Sequence, residues 1–506
     1  MKIIPKPENI TMLEGNFTFS NSTQIVGLDE FLANDLRKFV DLKDGEKNSC
    51  VFTVAQIDED YRIEIGENIY VVGNSNEGIF HAVQTIKLLI LEYYKNEYSY
   101  IPCCIIDDNY KYEYRGFMLD VCRHFYPIGT IKKIVDAISL FKMNKLHLHL
   151  SDDQGFRIQL NRFPLLTDIG SIRKGTRGDG KPVSGFYTQG DIVDLVKYAK
   201  ERFIEIIPEI DLPGHTSALI ASYPDLHCKG KEIEVEEYFG IKENVVCAGK
   251  ESTYQFLEDV LGEIAKLFPS KCIHIGGDEA PKTQWMECDD CNETIKKNGL
   301  KTYMDLQSYF TNRIIKYLKS IGKTPIVWNE AYHDGQLDKA ATIQFWADGR
   351  KAQNVKNALK EGYKLIYSNN KYCYLDHPYS SLPIKNTFKA IKEMKSLEQV
   401  GNVFGIETPL WTEWIDDEDK LLKMAFPRTL AIAELGWSVV PGDYKEFKDR
   451  IDNGLDALFV LDIASASKKQ ANPNIVSSFF GNLKFYGKMI DKELPRTIRN
   501  FRYIKK

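Results

Sequence analysis

The clearest pattern in this chain of 506 residues lies at residues 273–279, Ile273-His274-Ile275-Gly276-Gly277-Asp278-Glu279. An apolar run, typical of a buried strand, ends here in two glycines and two acidic residues. Runs of the same kind, most of them ending in polar or aromatic residues, recur from residue 114 onward. They cover residues 115–121, 146–150, 204–210, 272–275, 325–328, 342–346, 365–367 and 403–406.

Amphipathic stretches with helical spacing separate most of these runs. Clear examples are Thr130–Met143, Asp191–Glu201, Tyr254–Leu267 and Met304–Lys319. Eight strands with helical crossovers predict an α/β fold, a (β/α)8 TIM barrel. Because the carboxyl ends of the strands hold the chemistry in such barrels, the polar residues there are candidates for an active site.

The chain before the barrel has a different pattern. Short alternating runs such as Tyr61–Ile65, followed by a helical stretch from Gly78 to Tyr94, predict a small α+β domain. We therefore predict three segments: an α+β domain over 1–108, the catalytic barrel over 109–440, and a helical segment over 441–506 that could complete the barrel.

Composition excludes several classes of protein. Hydrophobic residues make up 43% and charged residues 27%, as in globular proteins, and the net charge is -5, which gives no footprint for nucleic acid. No apolar run is long enough to span a membrane, and the N-terminus has no apolar segment of a secretory signal. Ten cysteines fit a reduced enzyme, so we expect a cytoplasmic location.

The adjacent acids Asp278 and Glu279 are the strongest candidates for chemistry in the sequence, against the alternative of two solvated acids in a glycine-rich loop. Neighbouring strand residues face opposite sides, so such a pair cannot flank a glycosidic bond in the usual way. The usual pair of carboxylates stands about 5–9.5 Å apart across that bond. One acid is therefore expected to protonate the leaving group while the other acts beside it. Asp152 and His215, at two other strand ends, could tune the pKa of Glu279.

Two further motifs offer metal ligands, and in both we favour a structural interpretation. His147 and His149 alternate on one strand face, as a metal pair or as core histidines; the only other strand-end histidine is His215. Cys288 and Cys291 form a C-x-x-C without a second pair at zinc-ribbon spacing, so we interpret them as loop thiols.

Aromatic residues end several strands. Trp328, Trp346 and Trp411 could together form an apolar wall against a sugar face or an acetyl methyl group. Tyr374, Asp376 and Glu413 add hydroxyl and carboxylate partners for a polyol.

In order, the segments Arg115–Phe125, His147–Gln154, Asp211–His215, His274–Glu279, Tyr374–Asp376 and Leu410–Glu413 resemble the glycoside hydrolase family 20 β-N-acetylhexosaminidases. The resemblance covers roughly residues 1–440. It implies exo-acting removal of terminal, non-reducing, β-linked GlcNAc or GalNAc with retention. The nucleophile would be the substrate's own acetamido oxygen, which gives an oxazolinium-type intermediate.

The resemblance also implies a role for each site residue. Glu279 would be the general acid and base, Asp278 would orient the acetamido group, and Tyr374 would bind its oxygen. Three tryptophans, Trp328, Trp346 and Trp411, would enclose the acetyl group. Arg123, Asp376 and Glu413 would bind ring hydroxyls, with Asp152 and His215 supporting Glu279 from behind.

The resemblance implies neither a cofactor nor a metal. The expected partner is an oligosaccharide or glycoconjugate with a terminal N-acetylhexosamine, with no nucleic acid and no membrane; a homodimer is compatible with it. Two alternatives stay open: a metal-dependent hydrolase that uses His147, His149 and His215, and a sugar-binding barrel without activity. The preference between GlcNAc and GalNAc is also open.

Overall fold

The computed structural model describes residues 1–20, 22–39, 47–93, 100–175, 181–333, 335–347 and 350–487. The strands, in chain order, are β1 (Asn9–Thr18), β2 (Gln24–Val26), β3 (Ser49–Val54), β4 (Tyr61–Ile65), β5 (Ile69–Gly73), β6 (Tyr100–Asp108), β7 (Tyr114–Asp120), β8 (Lys145–His149), β9 (Ser151–Asp152), β10 (Gly155–Phe156), β11 (Ile172–Arg173), β12 (Val183–Ser184), β13 (Glu205–Glu209), β14 (Cys272–His274), β15 (Thr324–Trp328), β16 (Thr342–Phe345), β17 (Lys364–Tyr367) and β18 (Val403–Leu410).

The helices carry the connections between these strands. In chain order they are α1 (Glu30–Arg37), α2 (Asn76–Tyr93), α3 (Ile128–Leu140), α4 (Leu165–Asp168), α5 (Gln189–Lys200), α6 (Ser217–Ser222), α7 (Glu251–Leu267), α8 (Thr283–Met286), α9 (Asp289–Lys297), α10 (Tyr303–Ser320), α11 (Arg350–Lys360), α12 (Ile384–Thr387), α13 (Ala390–Glu398), α14 (Glu418–Ala425), α15 (Arg428–Trp437), α16 (Tyr444–Val460) and α17 (Lys468–Ala471).

A closed parallel barrel forms the centre of the molecule. Its strands follow the order β13-β14-β15-β16-β17-β18-β7-β8, each parallel to its neighbours. The predicted (β/α)8 fold is confirmed. The eighth strand, β18, runs on to Leu410, beyond the predicted end at residue 406, because Thr408 and Pro409 pair with β7. Its polar residues Glu407 and Thr408 are fully buried, so hydrophobicity alone does not reveal this part of the strand.

A separate mixed sheet precedes the barrel, as the sequence predicts. Its order is β1-β6-β4-β5-β3-β2, and helix α2 packs against it. Residues 78–90 of α2 are all buried, since the helix also contacts α3 and α16. This helix therefore lies between the sheet and the rest of the chain.

The C-terminal segment differs from the expectation that it could complete the barrel. The barrel closes with strands that all lie before residue 411, and α15 packs against β18 and β7. Helix α16 instead packs against α2, and its Arg450 joins Glu434 of α15 at 2.6 Å while donating to the Ile3 carbonyl at 2.7 Å. Residues 488–506 of the segment lie outside the described residues.

None of the described helices combines the length and the apolar character that crossing a bilayer requires.

A buried polar cluster joins the sheet to the barrel. Lys142, after α3, places its Nζ 3.0 Å from Asp108 Oδ2 and 2.6 Å from the Tyr61 hydroxyl, and Trp437 Nε1 donates to the same Asp108 oxygen at 3.0 Å. Both charged side chains of the Lys142–Asp108 pair are inaccessible to solvent. Burial lowers the pKa of Lys142, and the Asp108 carboxylate opposes that effect. Removing one of these two buried charges would therefore leave the other unpaired and destabilise the contact between the sheet and the barrel.

We expect Lys142→Met to lower the free energy of unfolding by about 3–5 kcal/mol, since it leaves the Asp108 carboxylate buried without its cation. Urea denaturation followed by circular dichroism measures the change. Lys132→Met is the matched control: its ion pair with Asp194 is partly exposed, so a change of about 1 kcal/mol or less is expected. Adding Asp108→Asn to Lys142→Met should restore part of the stability. Equal effects of the Lys142 and Lys132 variants would contradict the prediction.

Candidate active site

One cavity of about 230 Å³ opens at the carboxyl ends of the barrel strands. This volume is below the roughly 300–1,000 Å³ of sites for drug-sized ligands, and it suits one small ring. Its lining comprises Arg123, Asp152, Asp211, His215, Asp278, Glu279, Trp346, Asn370, Tyr374, Asp376, His377, Trp411 and Glu413. Every site residue expected from the sequence lines this cavity except Trp328.

The turn after β14 depends on its two glycines. Gly276 has a φ of 63°, and a Cβ there would lie 1.5 Å from Asp211 Oδ1. Gly277 has a φ of 111° and donates its backbone N–H to the same oxygen at 3.2 Å. Only glycine combines these backbone angles with this close approach. The turn thereby brings Asp278 and Glu279 to the mouth of the barrel.

The adjacent acids share one imidazole. His215 Nε2 lies 3.9 Å from Asp278 Oδ2 and 3.7 Å from Glu279 Oε2. Glu279 and His215 both have left-handed backbones, with φ of 43° and 54°, conformations that are unusual for residues with side chains and that often mark functional sites. The two carboxyls therefore meet on one side of the cavity, as expected for acids that do not flank a bond.

Asp278 has the features of a group prepared for a ligand. Within the described part of the chain, its buried Oδ1 has no hydrogen-bond partner. Burial raises the pKa of Asp278 to about 7, and Glu279 and Glu330 add to the effect against the opposing charge of His215. A positively polarised N–H group of a ligand would satisfy this oxygen and restore its charge.

A chain of hydrogen-bonded charges supports His215 from below. Its Nδ1 lies 3.3 Å from Asp152 Oδ1, while Asp152 Oδ2 contacts His149 Nε2 at 2.8 Å. His149 Nδ1 in turn contacts Glu209 at 2.5 Å. Although burial opposes it, Arg123 and His215 hold the pKa of Asp152 well below its usual range. His215 is therefore anchored by an ionised carboxylate, which fixes the ring against the acid pair.

The His147 and His149 pair has the character of core histidines. His147 Nδ1 contacts Glu407 at 3.0 Å, its Nε2 lies 3.1 Å from Glu209, and its ring stacks on His274 at 4.7 Å. Both ring nitrogens of His147, like those of His149, therefore face carboxylates within the barrel. These contacts favour the structural interpretation over a catalytic metal pair.

Three aromatic rings form one wall of the cavity. The Tyr374 ring lies 6.3 Å from Trp346 at an interplanar angle of 23°, and 6.4 Å from Trp411. Burial raises the pKa of Tyr374 well above its usual range, so its hydroxyl is a proton donor. Trp328 differs from the expectation: it does not line the cavity, is 1% exposed, and donates its Nε1 to Glu209 at 2.9 Å. Its ring supports Trp411 at 6.0 Å.

Another part of the lining, next to the aromatic wall, is polar. Arg123 contacts Asp152 at 2.7 Å, and its guanidinium lies over the Trp411 ring at 5.0 Å. Burial raises the pKa of Asp376 and of Glu413 to about 7, although the Arg123 charge opposes it in both. Asp376 Oδ1 is buried and has no hydrogen-bond partner among the residues that the structure describes. These groups offer acceptors and a donor to ring hydroxyls.

Three lining residues were not among the expected site residues. Asp211 belongs to the quoted Asp211–His215 motif, but nothing in its spacing shows that it holds the glycine turn. Asn370 lies three residues after the end of β17, a position that could have identified it, whereas His377 lies ten residues after that end, too far for the same signal.

Known proteins match this chain over both domains. Residues 112–440 match the profile "Glycosyl hydrolase family 20, catalytic domain", and residues 1–109 match "Glycosyl hydrolase family 20, domain 2". A beta-hexosaminidase of Porphyromonas gingivalis is 35% identical over 494 residues, covering 90% of this chain but only 62% of the relative. A beta-hexosaminidase of Akkermansia muciniphila is 33% identical over 75% of this chain and 79% of its own length.

Solved structures of beta-hexosaminidases also match this chain over most of its length. A beta-N-acetylhexosaminidase from Bacteroides fragilis superposes with a TM-score of 0.80 at 30% identity, covering 94% of this chain and 99% of that one. A Streptomyces plicatus beta-hexosaminidase variant in complex with its product GlcNAc gives a TM-score of 0.80 at 28% identity, over 93% and 97% of the two chains. With the acid pair and the aromatic wall in one barrel mouth, these matches show that the chain belongs to glycosyl hydrolase family 20.

Proposed function

We propose that this protein is an exo-β-N-acetylhexosaminidase that removes terminal, non-reducing, β-linked GlcNAc or GalNAc with retention of configuration. One observation carries the proposal: Asp278 and Glu279 reach the same imidazole from adjacent positions, in a cavity for one sugar ring. Because both acids stand on one side, they cannot act as the acid and the nucleophile on opposite faces of the anomeric carbon. A nucleophile carried by the substrate fills that role.

In the first step, the acetamido carbonyl oxygen attacks the anomeric carbon as the bond to the leaving group breaks. Glu279 donates its proton to the departing oxygen. Asp278 accepts a hydrogen bond from the acetamido N–H and stabilises the positive charge that develops on it, which is an electrostatic contribution. The product of this step is a cyclic oxazolinium-type ion together with the released alcohol.

In the second step, Glu279 removes a proton from water, and the water oxygen attacks the anomeric carbon. The bond between the anomeric carbon and the acetamido oxygen breaks, which opens the oxazolinium ring and restores the acetamido group. Two displacements at the anomeric carbon retain its configuration overall. The Tyr374 hydroxyl donates a hydrogen bond to the acetamido oxygen, and Trp346 and Trp411 hold the acetyl group in the attack position. Trp328, which is buried, acts by supporting Trp411.

The remaining groups select and orient the sugar. Arg123, Asp376 and Glu413 bind ring hydroxyls, and the small volume of the cavity supports exo action on one terminal residue. Asp152 and His215 support Glu279 without touching the sugar. The natural substrate is an oligosaccharide or glycoconjugate that ends in an N-acetylhexosamine.

The same proposal includes a cytoplasmic location, a division of the chain at residues 108 and 440, and activity without a cofactor. None of the ten cysteines, all of which lie in the described ranges, forms a disulfide, as is usual in a reducing compartment. The oligomeric state stays open, and sedimentation velocity can test whether the chain forms the homodimer with which the resemblance is compatible.

We expect Glu279→Gln to lower hydrolysis of a GlcNAc glycoside with a poor leaving group by about 10²–10⁴-fold, because general acid catalysis is lost. A dinitrophenyl glycoside needs little protonation, so its first step should be affected much less. Calorimetric titration should show unchanged binding of GlcNAc. Glu287→Gln, an exposed acid near the same loop, is the matched control. Equal losses of kcat/KM, which reports the first step, on both leaving groups would refute the acid role.

We expect Asp278→Asn to lower turnover of nitrophenyl β-GlcNAc on the order of 10²–10³-fold, as for removal of one preorganised electrostatic group. A nitrophenyl β-glucoside, which lacks the acetamido group, should be a very poor substrate for the wild-type enzyme. A thiazoline derivative of GlcNAc, which mimics the cyclised intermediate, should inhibit the wild type tightly and the variant weakly. Comparable wild-type rates on the two glycosides would exclude the substrate-assisted mechanism.

We expect Asp376→Asn to stabilise the folded protein increasingly as pH rises from about 4 to about 7. Burial raises the pKa of Asp376 from 3.8 to about 7. The folded protein therefore holds a proton that the unfolded chain releases, and this contribution to stability is lost as pH rises through that window. The difference in Tm between variant and wild type, measured from pH 4 to pH 8, should grow and then level off.

Asp416→Asn provides a control of opposite sign. The Lys420 charge, against the effect of burial, lowers the pKa of Asp416. Its ionised form therefore stabilises the folded state fully above the unfolded pKa of 3.8, and less as pH falls through the folded pKa. From pH 4 to pH 8 the variant should therefore have a lower Tm than the wild type by a nearly constant amount. If the difference in Tm between Asp376→Asn and the wild type does not change with pH, then ionisation of Asp376 does not destabilise the folded protein and the prediction is wrong.

A further inference from the structure

Four buried cysteines from two separate loops meet at one point. Cys228 and Cys247 lie in the connection between β13 and α7, while Cys288 and Cys291 stand at the start of α9. Their four sulfur atoms all lie within 4.8 Å of one another, and Cys247 Sγ is 3.7 Å from both Cys288 Sγ and Cys291 Sγ. The mechanism proposed above uses none of them.

The spacing of the sulfurs fits one tetrahedral ion. Zinc–sulfur bonds of about 2.3 Å place two thiolates of a tetrahedral site about 3.8 Å apart. A disulfide would need about 2.05 Å. In a [4Fe–4S] cluster each thiolate binds a different iron, which spreads the sulfurs beyond the distances between ligands of a single ion. The observed 3.7 Å therefore matches a mononuclear site.

The backbone around the cluster brings the two loops into contact and places N–H groups beside a sulfur. The N–H groups of Gly249 and Lys250 face the Cys247 sulfur. A Cβ on Gly249 would lie 2.2 Å from the Asp290 carbonyl carbon and 2.3 Å from the Cys291 nitrogen. Glycine at this position therefore lets the two loops touch. Such outer contacts orient thiolate ligands and compensate their charge.

We propose that Cys228, Cys247, Cys288 and Cys291 bind one Zn²⁺ as a structural site. Four thiolates complete the tetrahedral shell and leave no position for water or substrate, so the ion has no catalytic role. The sequence gives only half of this site in a recognisable form. Cys288 and Cys291 form a C-x-x-C pair, but 18 residues separate Cys228 from Cys247, a spacing that fits no zinc ribbon.

The site would fasten together the two loops that carry the acid pair and its histidine. Val246, next to Cys247, donates its N–H to the Pro213 carbonyl at 3.2 Å, two residues before His215. Trp285, three residues before Cys288, donates its Nε1 to the Val246 carbonyl at 3.0 Å. A zinc ion at the cluster would hold these attachments in place.

Metal analysis of the full-length protein tests the proposal. After expression in zinc-containing medium and purification in metal-free buffer, we expect one zinc per chain by plasma mass spectrometry. The double variant Cys288→Ser/Cys291→Ser should drop to near zero zinc and show a lower Tm. Cys272→Ser, a partly exposed cysteine outside the cluster, should keep one zinc and the wild-type Tm. Cobalt substitution of the wild type should give the absorption bands of a tetrahedral thiolate site.

The wild-type measurements stand even if the double variant fails to fold. Wild-type protein that carries no zinc, with the four thiols either reactive or paired in disulfides by mass spectrometry, would overturn the proposal. So would one iron per chain in place of zinc, or full zinc occupancy in the double variant. None of these readouts depends on glycosidase activity, so the metal site and the proposed function fail or succeed separately.

Discussion

The contact between Asp211 and the two glycines after β14 determines the active-site geometry. Asp211 Oδ1 accepts the Gly277 N–H at 3.2 Å and occupies the space in which a Cβ of residue 276 would lie. Strand alternation would otherwise send the two following acids to opposite faces of the barrel. The tight turn ends the extended backbone before these acids, so the alternation no longer applies to them. The left-handed backbone of Glu279 then brings its carboxyl to the His215 imidazole, which Asp278 also reaches. The unusual pairing of adjacent acids is thus a consequence of a backbone constraint.

The buried charges of the barrel mouth fall into two groups with different purposes. Glu209 and Asp152 contact histidines or Arg123, which hold the pKa of each carboxyl well below its usual range despite burial. Asp278, Asp376 and Glu413 have pKa values raised to about 7, because burial outweighs the cations nearby. Glu209 and Asp152 thus hold the surrounding histidines and Arg123 in place and stabilise the folded protein. The second group is satisfied only when a ligand fills the cavity, which is the usual conflict between binding function and stability.

Much of this organisation could be predicted from sequence, because the barrel strands are short apolar runs with polar ends. The prediction fails where tertiary pairing replaces hydrophobicity. Glu407 continues β18 as a buried charge because Tyr114 of the neighbouring strand β7 and His147 of β8 contact it inside the barrel. Trp328 was expected against the ligand, yet its hydrogen bond to Glu209 draws it into the core. The four-cysteine cluster depends on contacts between distant loops, and sequence spacing does not report such contacts.

Residues 210–250 join β13 to α7 without a long helix or strand of their own, and connections of this length are ordinarily the mobile parts of a barrel. A proton donor and its supporting histidine must nevertheless keep their distance to a fraction of an ångström, because misplacement at this scale is costly to catalysis. The attachments at Pro213, Val246 and Trp285 join the end of this loop to the loop that follows β14. The cysteine cluster lies beside these attachments, at the point where Gly249 lets the backbones touch. The barrel therefore sets where the strands end, whereas contacts between loops set how His215 faces Glu279.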